Sequence, residues 1–227
     1  MALRGTAALA MWWNVAPDVR AEFEHWHSHE HFPERLALPG FLRATRWTDA
    51  AGGEGVFVMY ELATHEVLAS PGYVARLNAP TPWSARMMPH HRSMVRTQCR
   101  VLESHGAAVA RHAATVRLAP RTAADAGLLR VHLAALHNAL VARPGLMGAH
   151  LLQHEAPALA PTTEQRIRGG DAAADWIVVV TGYDLAALDA LLLGELGDAA
   201  LAVAGAVPAT QRGRYAMSAS GVPGDFP

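Results

Sequence analysis

The apolar positions recur with two alternating periods, and the switches between them divide the chain into eight strand-like and four main helix-like stretches. Residues 7–15 are a nearly unbroken apolar run, short enough for a buried strand. Pro17 and Asp18 then open a helical pattern, with Asp18 as its expected N-cap, and Pro39-Gly40 closes it near Leu36. Residues 41–47 and 56–62 read as strands around a Gly-rich turn at 49–55. A second helix at 64–77 is interrupted near Pro71-Gly72, a Pro-rich loop fills 78–89, and residues 93–102 form a fourth strand. The order βαββαβ then recurs: strand 113–118, helix 122–142, strand 146–153, a long polar loop at 156–174, strand 176–183, a helix within 184–207 and a last strand at 211–219. Pro39-Gly40-Phe41-Leu42 and Pro144-Gly145-Leu146-Met147 mark the repeat, 105 residues apart.

This order is the ferredoxin-like unit, written twice. The expected fold is α+β, with one repeat over residues 1–105 and a second over 106–227, their antiparallel sheets packed face to face as an internal pseudo-dimer. Free sheet edges would invite further pairing, so a homodimer is also expected. In the third strand Phe57, Met59 and Glu61 oppose Val56, Val58, Tyr60 and Leu62. In the fourth, Met94, Arg96, Gln98 and Arg100 oppose Val95, Thr97 and Cys99. A face carrying Phe57 and Met59 together with Arg96 and Arg100 suits a partly polar cavity enclosed between two sheets.

Composition narrows the chemistry. The 227 residues carry 19 basic side chains and 20 acidic ones, a net charge of −1. That balance leaves no electrostatic footprint for nucleic acid or an anionic membrane. Every basic residue is Arg, so Schiff-base lysine chemistry is excluded. The single cysteine, Cys99, excludes an internal disulfide and reads as a packing residue. The apolar start reads as a strand rather than a signal segment, and the apolar stretch 185–207 is broken by Asp189, Glu195 and Asp198. A cytoplasmic protein without membrane association is expected.

Thirteen histidines are the compositional outlier, and His25, His27, His29 and His31 fall within seven residues. On a helix His25 and His29 are neighbours, as are His27 and His31. That spacing admits a metal or heme site, although a solvated face explains the outer pair as well. His31 could shuttle a proton near neutral pH, or be pinned to hold the turn before Pro39. Arg43 and Arg46 point to opposite faces, so one of them can reach a cavity. Arg46 or Arg96 would stabilise an oxyanion, with pairing to Glu61 the alternative role for Arg96 and Arg100. Asn14 could hold a carbonyl or satisfy a strand end. Trp12, Trp26 and Trp83 would wall an apolar ligand or simply pack, and Trp83 sits where a lid or a dimer contact would lie.

The stretch Trp26, Glu30-His31-Phe32-Pro33, Pro39-Gly40-Phe41 and Arg43 to Arg46 resembles the EthD-like branch of the dimeric α+β barrel superfamily. The match covers residues 7–102. The second half follows in element order only, with Leu136 where the first has His31 and Ala119 where it has Asn14, so its site would be degenerate. The resemblance implies a dimeric α+β barrel. It also implies an enzyme, a monooxygenase, cyclase or isomerase working without an organic cofactor or metal on a small aromatic or enolisable compound, aromatic or carboxylate-bearing. A binding or regulatory module with the same pocket, and a metal or heme protein using the histidine cluster, are the alternatives.

Overall fold

A computed structural model describes residues 3–207 and 210–226. Eight strands close one antiparallel barrel in the order β1-β3-β2-β8-β5-β7-β6-β4. They are β1 (Ala7–Asn14), β2 (Phe41–Asp49), β3 (Gly55–Leu62), β4 (Arg92–Gly106), β5 (His112–Leu118), β6 (Leu146–His154), β7 (Trp176–Gly182) and β8 (Gln211–Gly221). Each half contributes four neighbouring strands. The two sets join edge to edge, β4 on β6 and β2 on β8, through the two longest strands. Edge-to-edge joining closes the antiparallel barrel expected of the internal pseudo-dimer. It also removes the free edges on which the homodimer expectation rested, because every strand is paired on both sides.

The lumen is filled. Phe57 stacks between Trp12 and Trp47, with centroids 4.9 and 5.1 Å away and planes within 18°. Ala8, Ala10, Met59, Cys99, Leu152, Ile177 and Val179 complete this central core. Trp12 Nε1 donates to Thr115 Oγ1 across the barrel at 3.2 Å, which satisfies the one polar atom of the stack's first ring. Two further cores lie outside the barrel. One is beneath the helices of the first half, around Phe23, Trp26, Phe32 and Tyr60, and the other is beneath those of the second, around Leu129, Leu133 and Val178.

The register corrects the shared polar face. Trp12 pairs with Phe57 and Val95, whereas Met11 pairs with Val58 and Arg96. Phe57 and Met59 therefore face the lumen, and Arg96 faces the helices on the outer side. Glu61 does not meet Arg96 or Arg100. It pairs with Arg43 at 3.4 Å and accepts the Arg4 amide at 2.7 Å, while Arg100 bonds Glu155 at the surface.

The helices are more broken than the pattern implied. The first is a 3-10 turn (Pro17–Val19), α1 (Arg20–Trp26), a π turn (His27–His31) and α2 (Phe32–Leu36). Asp18 makes no capping bond, and Pro17 occupies the first turn instead. The Pro-rich loop contains α4 (Pro82–Met87), after α3 (Pro71–Asn78), with Pro82 in its first turn and Thr81 Oγ1 accepting from the Ser84 amide. The second half supplies α5 (Ala123–Leu140), α6 (Thr163–Arg168) inside the polar loop, α7 (Leu185–Leu193) and α8 (Asp198–Val203). A capping box between Thr162 and Gln165 starts α6. No helix among the described residues is long and apolar enough to cross a membrane.

The ring stack makes the lumen a sensitive probe of closure. Phe57→Ala should lower unfolding free energy by about 3–5 kcal/mol, because both neighbouring indoles lose a stacked face and the rigid barrel cannot collapse onto the gap. Urea titration followed by tryptophan fluorescence measures the loss.

Candidate functional site

The functional groups gather where the first helix runs over the outer face of β1, β3 and β4. The π turn sets their direction. Pro33 has no amide proton, and its ring crowds the carbonyl four residues back, so the helix widens just before it and the Phe32 amide bonds to the His27 carbonyl. The wider turn puts His27 and His31 on the buried side, 5.3 Å apart, with Trp26 4.7 Å from His31. His25 and His29 remain exposed, rings 4.4 Å apart, on the solvated face.

Glu30 anchors this segment. Its Oε1 accepts from Trp26 Nε1 at 3.1 Å, Thr81 Oγ1 at 2.5 Å and Ser84 Oγ at 3.2 Å, tying the helix to α4. Trp26 is thus a buried wall behind His31. Arg46 lies near this layer but outside the cavity. It donates to Ser218 Oγ, the Glu24 carbonyl and Ser28 Oγ, and its guanidinium lies over Phe23. The predicted oxyanion role therefore shifts away from Arg46, which braces the helix against β2. Arg43, on the opposite face, goes to Glu61. Trp83 donates to Glu22 and packs against His25 on the outer surface, so it neither walls the cavity nor covers it.

Two adjoining spaces lie beside these groups. The inner one is about 20 Å³, room for one water, and is bounded by His27, His31, Arg35, Tyr60, Tyr73, His91, Arg96, Glu164 and Arg168 among apolar side chains. The outer one is an open mouth of about 590 Å³ at the end of the barrel, where Trp12, Asn14, Arg117 and Tyr215 are among the lining residues. Trp13, His91, Met94 and Arg168 border both. A mouth of this size suits a small organic ligand. At its rim Ser93 holds a left-handed φ of 55°, where the ladder between β1 and β4 shifts register.

Of the three guanidiniums around the inner space, two are paired with carboxylates among the described residues and one is not. Arg35 pairs with Glu164 and with Glu34, and Arg168 pairs with Glu164 at 3.5 Å and Asp171 at 2.8 Å. Arg96 is buried, and its one side-chain hydrogen bond among the described residues is to Tyr73 Oη at 2.8 Å. A buried guanidinium without a carboxylate is costly unless an anion joins it. Three histidines share the space and stay neutral. Burial is the main cause for each, holding His27 and His31 well below the usual imidazole value and His91 down to about 3. Neighbouring charges add to it, with Arg35, His91 and Arg168 acting on His31. Neither ring nitrogen of His91 has a hydrogen-bond partner among the described residues, and His31 Nδ1 has none either.

Among the predicted residues the structure brings His31, Arg96 and Trp26 together, and places Asn14 and Trp12 at the mouth. Pattern reading missed His91, Tyr73, Arg35, Glu164 and Arg168. Glu164 and Arg168 come from α6, whose capping box was the available signal. His90-His91, just before a strand, carried none.

The metal and heme alternative does not fit this arrangement. No group of three His, Cys, Asp or Glu side chains among the described residues is placed to hold a metal ion. The space beside His27 and His31 is far too small for a porphyrin, because Phe23, Trp26 and Phe32 pack against the imidazoles at 4.4–5.5 Å.

No family model and no curated protein matches this sequence. Solved structures do. An anthrone oxidase-like protein superposes with a TM-score of 0.66 at 13% identity, over 97% of this chain and 94% of that one. A proposed monooxygenase from Fusobacterium nucleatum gives 0.62 at 7% identity, over 96% and 95%. Another, from Lactobacillus acidophilus, gives 0.60 at 10%, over 96% and 97%. The fold is that of the dimeric α+β barrels. Here a single chain supplies all eight strands of the barrel.

Two measurements test the site's electrostatics. Glu164→Ala should cost about 3 kcal/mol, because Arg35 and Arg168 both lose their shared buried partner. Chemical denaturation compares it with wild type. The three neutral histidines make stability fall with acid. Above pH 6.5 folded and unfolded chains are both unprotonated there. Below it only the unfolded chain takes up protons, costing about 1.4 kcal/mol per pH unit for each histidine, continuing towards pH 3 for His91. Thermal midpoints measured from pH 8 to pH 5 should drop, and His91→Asn should make the slope shallower.

Proposed function

We propose that this protein is a cofactor-independent oxygenase, cyclase or isomerase of the dimeric α+β barrel type, acting on a small enolisable aromatic compound bound in the barrel mouth. The carrying observation is His91, a buried neutral imidazole with no partner on either nitrogen, in the wall shared by the mouth and the inner space. A neutral imidazole so placed can accept a carbon-bound proton. An enolate forming alongside raises its basicity, because the new negative charge favours the imidazolium. Arg96 stabilises the oxyanion, and His31 relays the proton inward through the water-sized space.

Anthrone is the natural probe, since one similar fold belongs to an anthrone oxidase-like protein. Loss of a C10 proton gives the enolate. Dioxygen then takes up the electrons, one oxygen atom becoming the quinone carbonyl and the other leaving as water. The EthD-like assignment, on Trp26, residues 30–33 and residues 39–41, belongs to this proposal. So do a first repeat, 1–105, that carries His31 and His91, a second, 106–227, whose own copy of the site is degenerate but which lends Glu164 and Arg168 to the first, and a cytoplasmic location. The site is built within one chain, so the activity needs no second copy.

Anthraquinone formation under air, followed by absorbance, should exceed the uncatalysed rate. His91→Ala and His31→Ala should each lower it by about 10²-fold or more, with anthrone affinity changed little. Arg46→Gln should act on stability instead. Binding without turnover would favour the non-catalytic module. A rate indifferent to both histidines would defeat the mechanism.

A further inference from the structure

The second half of the chain contributes a cation that the chemistry around His91 does not use. Alternation along β5 puts Arg117 on the lumen side with Ala113 and Thr115, one step beyond the ring stack. Its guanidinium lies 5.0 Å over the Trp12 ring, at the floor of the mouth, and also borders an adjoining pocket of about 300 Å³. Arg168, on the other wall, is neutralised by Glu164 and Asp171. The Arg117 side chain makes no hydrogen bond or ion pair among the described residues, although Asp175 lines the same adjoining pocket. Half-burial already disfavours its charge, and no carboxylate compensates. Cation–π contact with Trp12 satisfies one face of the guanidinium and leaves the N–H donors of its edge open to the mouth.

We infer that Arg117 is the acid-reading residue of the mouth, and that the preferred ligand is an aromatic compound bearing a carboxylate. The planar fork takes a carboxylate through two parallel hydrogen bonds, while the ring extends along the mouth toward Trp13 and His91. This rests on the mouth being the ligand pocket, as proposed above, and adds the charge of the ligand and the residue that selects it.

Binding of 1-hydroxy-2-naphthoate and of its methyl ester, each titrated into the full-length protein by calorimetry, separates the two claims. The acid should bind about tenfold tighter than the ester. Arg117→Gln should abolish that preference with ester affinity unchanged, and Arg117→Lys should keep part of it. Equal affinity of acid and ester for wild type, or equal weakening of both by Arg117→Gln, would overturn the role of Arg117 and leave the mouth as a ligand pocket. Failure of both compounds to bind would remove the pocket itself. If the glutamine variant does not fold, ionic strength decides on wild type: acid affinity should fall with added salt while ester affinity holds, and identical salt responses would overturn the inference.

Discussion

Edge-to-edge pairing of the two four-stranded sheets is the constraint from which the rest follows. Once β4 runs on into β6 and β2 into β8, the inner faces can no longer spread to hold a ligand. A closed eight-stranded barrel has an interior that side chains can just fill. Trp12, Phe57 and Trp47 fill it with stacked rings. The spaces beside the histidines lie at the open end of the barrel and on the outer face beneath the helices. The candidate site occupies both, and the side chains that border both spaces connect them.

Under the helices, the same burial that builds the core sets the electrostatics. Arg35, Arg96 and Arg168 enter a region whose main carboxylate is Glu164. Imidazoles buried there do not hold a proton, and the neighbouring cations add to the effect of burial, so His27, His31 and His91 stay neutral. The site thus combines fixed positive charge with uncharged acceptors. An anion generated there would find both the countercharge and a place for the proton it released.

The strands were legible from their apolar runs because a strand's length and alternation are local properties. The face each strand turns to the barrel was not, because cross-strand register depends on closure. Alternation within each strand holds, yet Arg96 and Phe57 turn to opposite sides of the sheet. The π turn is illegible for a similar reason: the His31-x-Pro33 spacing disturbs a helix, but only the packed structure shows that the disturbance is a widened turn. Glu164 and Arg168 sit in a segment whose Pro and Gly content reads as loop, although Thr162 and Gln165 supply a complete helix start. His91 and Arg117 lie at strand ends, where alternation gives no warning that a side chain will stand unpaired.

A helix that changes pitch halfway along carries a phase as well as a length. Residues before the widened turn and residues after it can face the same layer only because one extra residue has been taken up between them. Were the same residues wound at the ordinary pitch throughout, everything downstream would turn by about 100°, so that Arg35 and Leu36 would swing off the sheet although no side chain had changed. The widened turn and the extra residue therefore come as a pair. A chain one residue shorter between Trp26 and Pro33 would keep the downstream phase with an ordinary helix, but would lose one of the side chains that the turn presents.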